Sequence, residues 1–427
     1  MREAFGRALV ALGEEREELV VLDPDVASST RTCYFAERFP GRFFNIGISE
    51  QDMIGTAAGL AASGRLPIAT GFAVFVAGRA WEQIRNTVAR QNLNVKIAVT
   101  HAGLSDYGDG ASHQSIGDVA LMRVIPNMTV VVPADAASAA RALEASAVHR
   151  GPVYLRLGRE ETPEVYGEGC DLTFGRATTV RDGSDVTLIA NGIMVSMALR
   201  ASEALSREGV DARVVDMHTV KPLDTACVEA AAKETGAIVT AEEHSVIGGL
   251  GSAVSEALAE TTPAPMRRVG INDRYGESSR SYAALLSRLG LTPEAINAKV
   301  VEMLEEMRKE DPEFRYEFEY PVNPRFRVGG MPMPPMGVSP DAEVVQLLKE
   351  SHRQVTGSYP KRIGAVPPYS YCGNDTAHLE RAGIECCLYG PRGYPDEVEK
   401  HVRIDEMVIC AKALALTAAK VCTSEKK

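Results

Sequence analysis

Glu50 stands in the run Asn45-Ile46-Gly47-Ile48-Ser49-Glu50-Gln51-Asp52-Met53, where a short apolar stretch gives way to a helical pattern. A carboxyl group there has two readings. It is a first-turn acid that the helix macrodipole favours, or a proton-handling group kept among apolar neighbours. Two further segments bear on the choice. Thr70-Gly71-Phe72-Ala73-Val74-Phe75 sets two aromatic rings at the end of the next apolar run. Thr100-His101-Ala102-Gly103 and Gly108-Asp109-Gly110-Ala111-Ser112-His113-Gln114 then set two histidines and an aspartate after the run beyond that. Carboxylate, imidazoles and aromatic rings gathered at successive strand ends shift the balance away from the plain helix-acid reading of Glu50.

The elements that must position these residues alternate. Met1–Glu14 reads as an amphipathic helix, and Leu19–Leu22 and Phe43–Ile46 as strands. A helix is expected over Gln51–Ala62, strands at Pro67–Thr70 and Val95–Thr100, and a helix at Arg79–Arg90. Strands at Thr129–Val132 and Val153–Leu157 flank a helix at Ala136–Val148. This alternation predicts an α/β fold with a mostly parallel, doubly wound sheet, whose ligands sit at the strands' C-terminal ends. A polar linker follows at Glu160–Asp171. A second, smaller doubly wound unit is expected over Leu172–Glu306, with strands at Val186–Ala190, Ala212–Val215 and Ala237–Thr240. Helices are expected at Met194–Arg207, Asp224–Glu234 and Gly249–Ala259. Gly248-Gly249-Leu250-Gly251 opens the last of these, either as an anion cradle at a helix N-terminus or as a tight packing turn.

Composition narrows the class. A chain of 427 residues has room for two to four domains at roughly 100–200 residues each. The formal charge of −11 argues against a nucleic-acid partner. No apolar run reaches the roughly 18 residues of a membrane span, and no basic-then-apolar leader opens the chain, so a soluble cytoplasmic protein is expected. From Met307 onward, 17 basic and 17 acidic residues cancel, so the preceding 306 residues carry all the net charge. Cysteine is skewed the other way, with Cys372, Cys386, Cys387, Cys410 and Cys422 near the end and no CxxC pair. Scattered reduced thiols are the expectation. The two skews point to a chain of two origins.

Residues 1 to about 304 resemble the C-terminal half of transketolase, a pyrimidine-binding domain followed by a C-terminal domain. Gly47–Met53 is similar to the signature around the glutamate that activates thiamine diphosphate. Asp109–Gln114 resembles that family's substrate loop, and Asp273–Leu289 the end of its C-terminal domain. The resemblance implies that Glu50 hydrogen-bonds a ring nitrogen of the aminopyrimidine and favours the imino tautomer that takes the thiazolium proton. Phe72 and Phe75 would pack on the pyrimidine, and Asp25 would lie near the thiazolium. His101 and His113 would contact substrate oxygens and move protons, and Asp109 would read a hydroxyl. Arg159 resembles an arginine that holds a sugar phosphate, beside the plainer reading of a strand-end surface arginine. The chain departs from the family at Gly78, where a further aromatic residue or arginine is usual, and at Gln51, where histidine is common. Both departures point toward small split transketolases.

Gly108-Asp109-Gly110 imitates the start of the thiamine diphosphate metal motif, but Ala134–Leu143 holds no asparagine to complete it and Asn127 comes too early. Mg²⁺ demands near-octahedral oxygen ligation, which a lone carboxylate does not provide. No metal site is therefore expected in this chain. The resemblance implies a separate subunit, equivalent to the diphosphate-binding N-terminal half of transketolase, that holds the Mg²⁺ and the diphosphate.

Residues 307–427 resemble the last third of acetylornithine deacetylase/desuccinylase-type metallopeptidases, through Gly364-Ala365-Val366-Pro367-Pro368-Tyr369, Gly373-Asn374-Asp375-Thr376-Ala377-His378 and Tyr389-Gly390-Pro391. A helix is expected at Asp341–Thr356, a strand at Gly383–Tyr389 and a helix from Ile404. His401 is the one histidine placed to stand in for that family's C-terminal ligand, and one histidine makes no zinc site. Such a partial α/β appendage leaves apolar surface open, which calls for self-association or another chain. The expected division is 1–160, 172–306 and 307–427. The expected function is one subunit of a transketolase acting on sugar phosphates. A non-catalytic scaffold, deoxyxylulose-phosphate-type chemistry, a specialised ketose and a metallohydrolase are the alternatives.

Overall fold

A computed structural model describes residues 1–167, 170–310, 343–360 and 404–424. The strands of the first sheet are β1 (Leu19–Asp23), β2 (Phe43–Asn45), β3 (Leu66–Phe72), β4 (Lys96–Thr100), β5 (Thr129–Val131) and β6 (Val153–Arg156). Further along lie β7 (Thr178–Arg181), β8 (Val186–Ala190), β9 (Ala212–Asp216), β10 (Thr219–Lys221), β11 (Ile238–Ser245) and β12 (Met266–Ile271). They form two sheets, ordered β10-β5-β6-β4-β3-β1-β2 and β12-β11-β8-β9-β7. Every pairing is parallel except β10 with β5 and β7 with β9. The α/β fold with two mostly parallel, doubly wound sheets is the one expected.

The central strands are continuous apolar runs because helices cover both of their faces. Along β1, Val20 and Leu22 join a core with Met53, Ile54, Val88 and Val119, while Leu19 and Val21 join another with Phe5, Leu9, Phe35 and Leu143. Alternate residues of a strand serve opposite layers. The helix Ala136–Val148 opens on a capping box: the Asp135 carboxylate accepts from Ser138 N at 2.9 Å, and the Ser138 hydroxyl accepts from Asp135 N. The other Asp135 oxygen accepts from Val165 N and Tyr166 N at 2.8 Å each, which ties down the linker.

Three expectations need correction. The single helix at Arg79–Arg90 is instead a helix, Ala73–Arg79, followed by a π-helical segment, Gln83–Ala89. Arg90 and Leu93 bond carbonyls five residues back, and this wider turn carries Ile84, Val88 and Ala89 into the core. Secondly, β7, β10 and β12 were not anticipated, and β10 lies among the residues of the second unit yet completes the first sheet. Thirdly, the Gly248–Gly251 turn does bind an anion, but an internal one. Leu250 N and Gly251 N donate to the two Glu242 carboxylate oxygens at 2.7 and 2.8 Å. A Cβ at Gly249 would lie 2.0 Å from Glu242 Oε2, so close backbone approach requires glycine there.

The described residues fall into two compact units, one on each side of position 320. The helix Pro293–Glu310 belongs to the first, with Ile296, Val300 and Met303 in the core of the second sheet. The later unit contains two helices, Glu343–Thr356 and Ile404–Ser424, packed on one another. The expected strand Gly383–Tyr389, the motifs between Gly364 and Pro391, and His401 lie outside the described residues. Among the described residues, no helix is long and apolar enough to cross a membrane.

Candidate active site

Glu50 is the first residue of the helix Glu50–Ala62, just beyond β2. Gly47 turns the chain there at φ +73°, with its N–H donating to Asn45 Oδ1, and the Ser49 hydroxyl donates to Ile46 O. The carboxylate is 5 % exposed at a helix N-terminus, where the macrodipole favours negative charge. Arg79 Nη1 reaches its two oxygens at 3.3 and 3.4 Å. The Arg79 guanidinium also lies 4.4 Å from the centre of the Phe75 ring, and Gln51 Nε2 donates to Arg79 O. Phe72 and Phe75 stack with centroids 6.2 Å apart. Arg79 thus joins the Glu50 carboxylate to the aromatic pair.

The histidines complete the same cluster. The His101 ring lies 3.9 Å from that of Phe72, and His113 meets Phe75 edge-on at 5.2 Å. His101 has φ +59° and is buried, and its Nδ1 is 2.8 Å from the Thr100 hydroxyl. Burial, reinforced by the charges of Arg2, Arg159 and His113, pulls His101 down to about 3. The ring is therefore neutral near pH 7. The unfolded chain protonates it below its ordinary 6.5, while the folded chain refuses the proton until about pH 3. Its contribution to stability is thus intact above pH 6.5 and falls as pH drops through that window. The unfolding free energy of His101→Asn should lose less than the wild type between pH 7 and pH 4, as denaturant titrations at both values would show.

Asp25, at φ +69°, is exposed and accepts from Asn45 Nδ2 at 2.8 Å, which ties it to the last residue of β2, ahead of Glu50. Asp109 is exposed on the loop that carries His113. The second sheet's connecting segment presses on this loop: a Cβ at Gly110 would meet Ser278, and Gln114 Nε2 donates to Glu277 O. Arg159 lies just past β6, with Nη1 donating to Asp106 Oδ1 at 2.6 Å and its backbone N–H to Ser105 Oγ. Burial raises Asp106 against the opposing pull of Arg159.

Arg79 and Asp106 were not read as site residues from the sequence. The signal for Arg79 was its spacing of four from Phe75, which puts the two on one helix face. No comparable signal marks Asp106. A buried carboxylate beside a stacked aromatic pair offers an acceptor and a flat apolar wall, which fits a nitrogen heterocycle that donates hydrogen bonds. Among the described residues, no group of three or more His, Cys, Asp or Glu side chains is placed to hold a metal ion.

Residues 1–164 match the family model described as transketolase, pyrimidine binding domain, and residues 175–296 match that described as transketolase, C-terminal domain. A putative transketolase C-terminal section of Methanocaldococcus jannaschii is 45% identical over 313 residues, which are 73% of this chain and 97% of that protein. A 6-deoxy-6-sulfo-D-fructose transketolase subunit of Clostridium sp. (strain MSTE9) is 41% identical over 69% of this chain and 92% of its own length. Among solved structures, a split gene transketolase described as an inactive beta4 tetramer is 52% identical. It covers 71% of this chain and 97% of its own, with a TM-score of 0.66.

Proposed function

The chain belongs to the transketolase family, as a C-terminal section, and on that premise we propose that it is the pyrimidine-binding subunit of a two-chain transketolase. That enzyme moves a two-carbon ketol unit between sugar phosphates in the cytoplasm. The observation that carries the reading is the buried Glu50 carboxylate, joined through Arg79 to the Phe72–Phe75 stack, with His101 and His113 on the same rings. Thiamine diphosphate, when bound, supplies the reactive carbon and the electron sink for carbon–carbon cleavage.

This chain's own residues do the rest. Glu50 would hold a ring nitrogen of the cofactor's aminopyrimidine, Phe72 and Phe75 would pack on that ring's face, and Asp25 would lie near the thiazolium. Neutral His101, with Nδ1 turned to Thr100, presents its other nitrogen for proton transfer. His113 and Asp109 take substrate oxygens. Arg159 takes the phosphate on exchanging Asp106 for it. Mg²⁺ and the diphosphate are held by an N-terminal-type partner subunit. We read 1–160 and 172–306 as the two transketolase domains. We read 307–427 as a fused metallopeptidase-type fragment without hydrolase activity, serving association with itself or the partner.

Mixing tests this. Ketol transfer should require the chain, the partner subunit, thiamine diphosphate and Mg²⁺ together, and each omission should abolish it. Transfer by this chain alone, or none by the full mixture, refutes the reading. The donor ketose is a phosphorylated sugar of the pentose or sedoheptulose type, with a modified ketose, as named for the clostridial relative, as the second reading.

A further inference from the structure

The turn that carries His101 is held from the other sheet. Beyond β4 the chain passes through two left-handed residues, His101 at φ +59° and Gly103 at φ +64°. A non-glycine residue in that region is strained and persists only where its surroundings over-determine it. Ala102 N donates to Leu157 O, and Gly103 and Ser115 exchange both backbone hydrogen bonds at 2.9 Å. The next amide, Leu104 N, donates to Glu243 Oε1 at 2.7 Å. That oxygen also accepts the Tyr282 hydroxyl at 2.8 Å.

Glu243 follows Glu242 in β11, so the two point to opposite faces. Glu242 serves the helix behind it, and Glu243 reaches the first sheet. A Cβ on Gly103 would lie 2.4 Å from the Glu243 carboxyl, so the carboxylate packs directly on that glycine. Arg156 Nη2 binds both Ser115 O and Glu243 O, at 3.0 and 3.1 Å, and joins the two sides of the contact.

We propose that Glu243 is a positioning residue: its buried carboxylate fixes the left-handed His101 turn and, through the Gly103–Ser115 pair, the loop that carries His113. The second sheet thereby sets where both histidines stand. The inference rests on reading those histidines as site residues. It gives the C-terminal domain a part in the chemistry without any contact of its own with the reacting atoms.

The test uses the full chain, alone and mixed with its partner subunit. In Glu243→Ala, amide exchange over residues 101–106 of the chain alone should rise about 100-fold. The kcat of the mixture should fall about 100-fold, with KM for the sugar phosphates moving less than about three-fold. Glu243→Gln keeps an acceptor oxygen and should recover both to within about ten-fold of wild type. Tyr282→Phe removes only the supporting hydroxyl and should move both the same way by about ten-fold, which keeps the test alive if Glu243→Ala fails to fold. Val254→Ala trims the core on the far face of the second sheet and should lower stability while leaving kcat unchanged. Unchanged exchange in a folded Glu243→Ala, a Gln variant as poor as Ala, or an equal loss of kcat in Val254→Ala would overturn the proposal. If the wild-type mixture transfers no ketol unit, the enzymatic reading fails, and the exchange arm still decides whether Glu243 holds the turn.

Discussion

Glu50→Ala should lower ketol transfer by the assembled enzyme by at least about 10³-fold, within the range that loss of a general acid–base group produces. The carboxylate is buried, and on the proposed reading alanine would leave a ring nitrogen of the cofactor with no acceptor, which is the costly case. The fold should survive. The partner of Glu50 in the free chain, Arg79, is 54% exposed, and an ion pair so open to solvent contributes no more than about 1 kcal/mol. Loss of turnover with an unfolding midpoint near that of the wild type is therefore the expected pair of results. Wild-type turnover by Glu50→Ala would end the assignment.

Arg156→Leu should destabilise the chain by about 3–5 kcal/mol at pH 7, the usual cost of stranding a buried charge. Arg156 grips Asp118 with Nε on Oδ2 at 2.8 Å and Nη2 on Oδ1 at 3.2 Å, and the Tyr154 hydroxyl adds a third bond at 2.8 Å. Burial alone raises Asp118, and Arg156 more than reverses this, so the carboxyl sits below its ordinary range. In the wild type that contribution is present above the ordinary carboxylate pKa and is lost as pH falls through the lowered value. Without Arg156 only the Tyr154 hydroxyl and the nearby His244 still oppose the effect of burial, so the Asp118 carboxyl moves up, takes a proton more readily in the folded chain, and the variant gains relative stability as pH falls. Unfolding at pH 7 and pH 5 should show the gap narrowing. Arg156→Leu combined with Asp118→Leu should lose less than the two single changes added together, since neither charge is then stranded.

The layered architecture was legible because its strands are buried on both faces and so appear as unbroken apolar runs, as Leu19–Leu22 and Val186–Ala190 do. Helix Ala136–Val148 was readable to its ends, with Asp135 and Ser138 marking its start. Glu50, Phe72, Phe75, His101 and His113 drew attention in the sequence because they lie on the segments that leave the strands' C-terminal ends, where α/β sheets gather their ligands. The structure brings Phe72, Phe75, His101 and His113 into ring contact. What escaped depends on partners distant in the chain. Glu243 meets Leu104 across 139 residues, and Arg159 meets Asp106 across 53. Nothing in the local pattern of either pair announces the other. The Gly248–Gly251 turn was ambiguous for a related reason: an anion cradle and a packing turn look alike until the anion is found to be Glu242. β10 contains one apolar residue, Val220, too few to mark a strand by pattern.

That short strand bears on how such chains can be inherited. The seventh position of the first sheet is filled by Thr219–Lys221, which reaches back over the linker to pair with β5. Lys221 Nζ fastens it there, donating to Arg123 O and Ile125 O at 2.9 and 2.5 Å. A recombination event at the linker would trade one relative's second domain for another's and would also replace the strand that seals the first. An unmatched replacement leaves the β5 backbone bare, and a bare edge recruits other chains. Because β11 pairs with β8 across the same point, a cut beyond Lys221 would divide the second sheet in turn, so neither side of β10 offers a clean seam between the two domains.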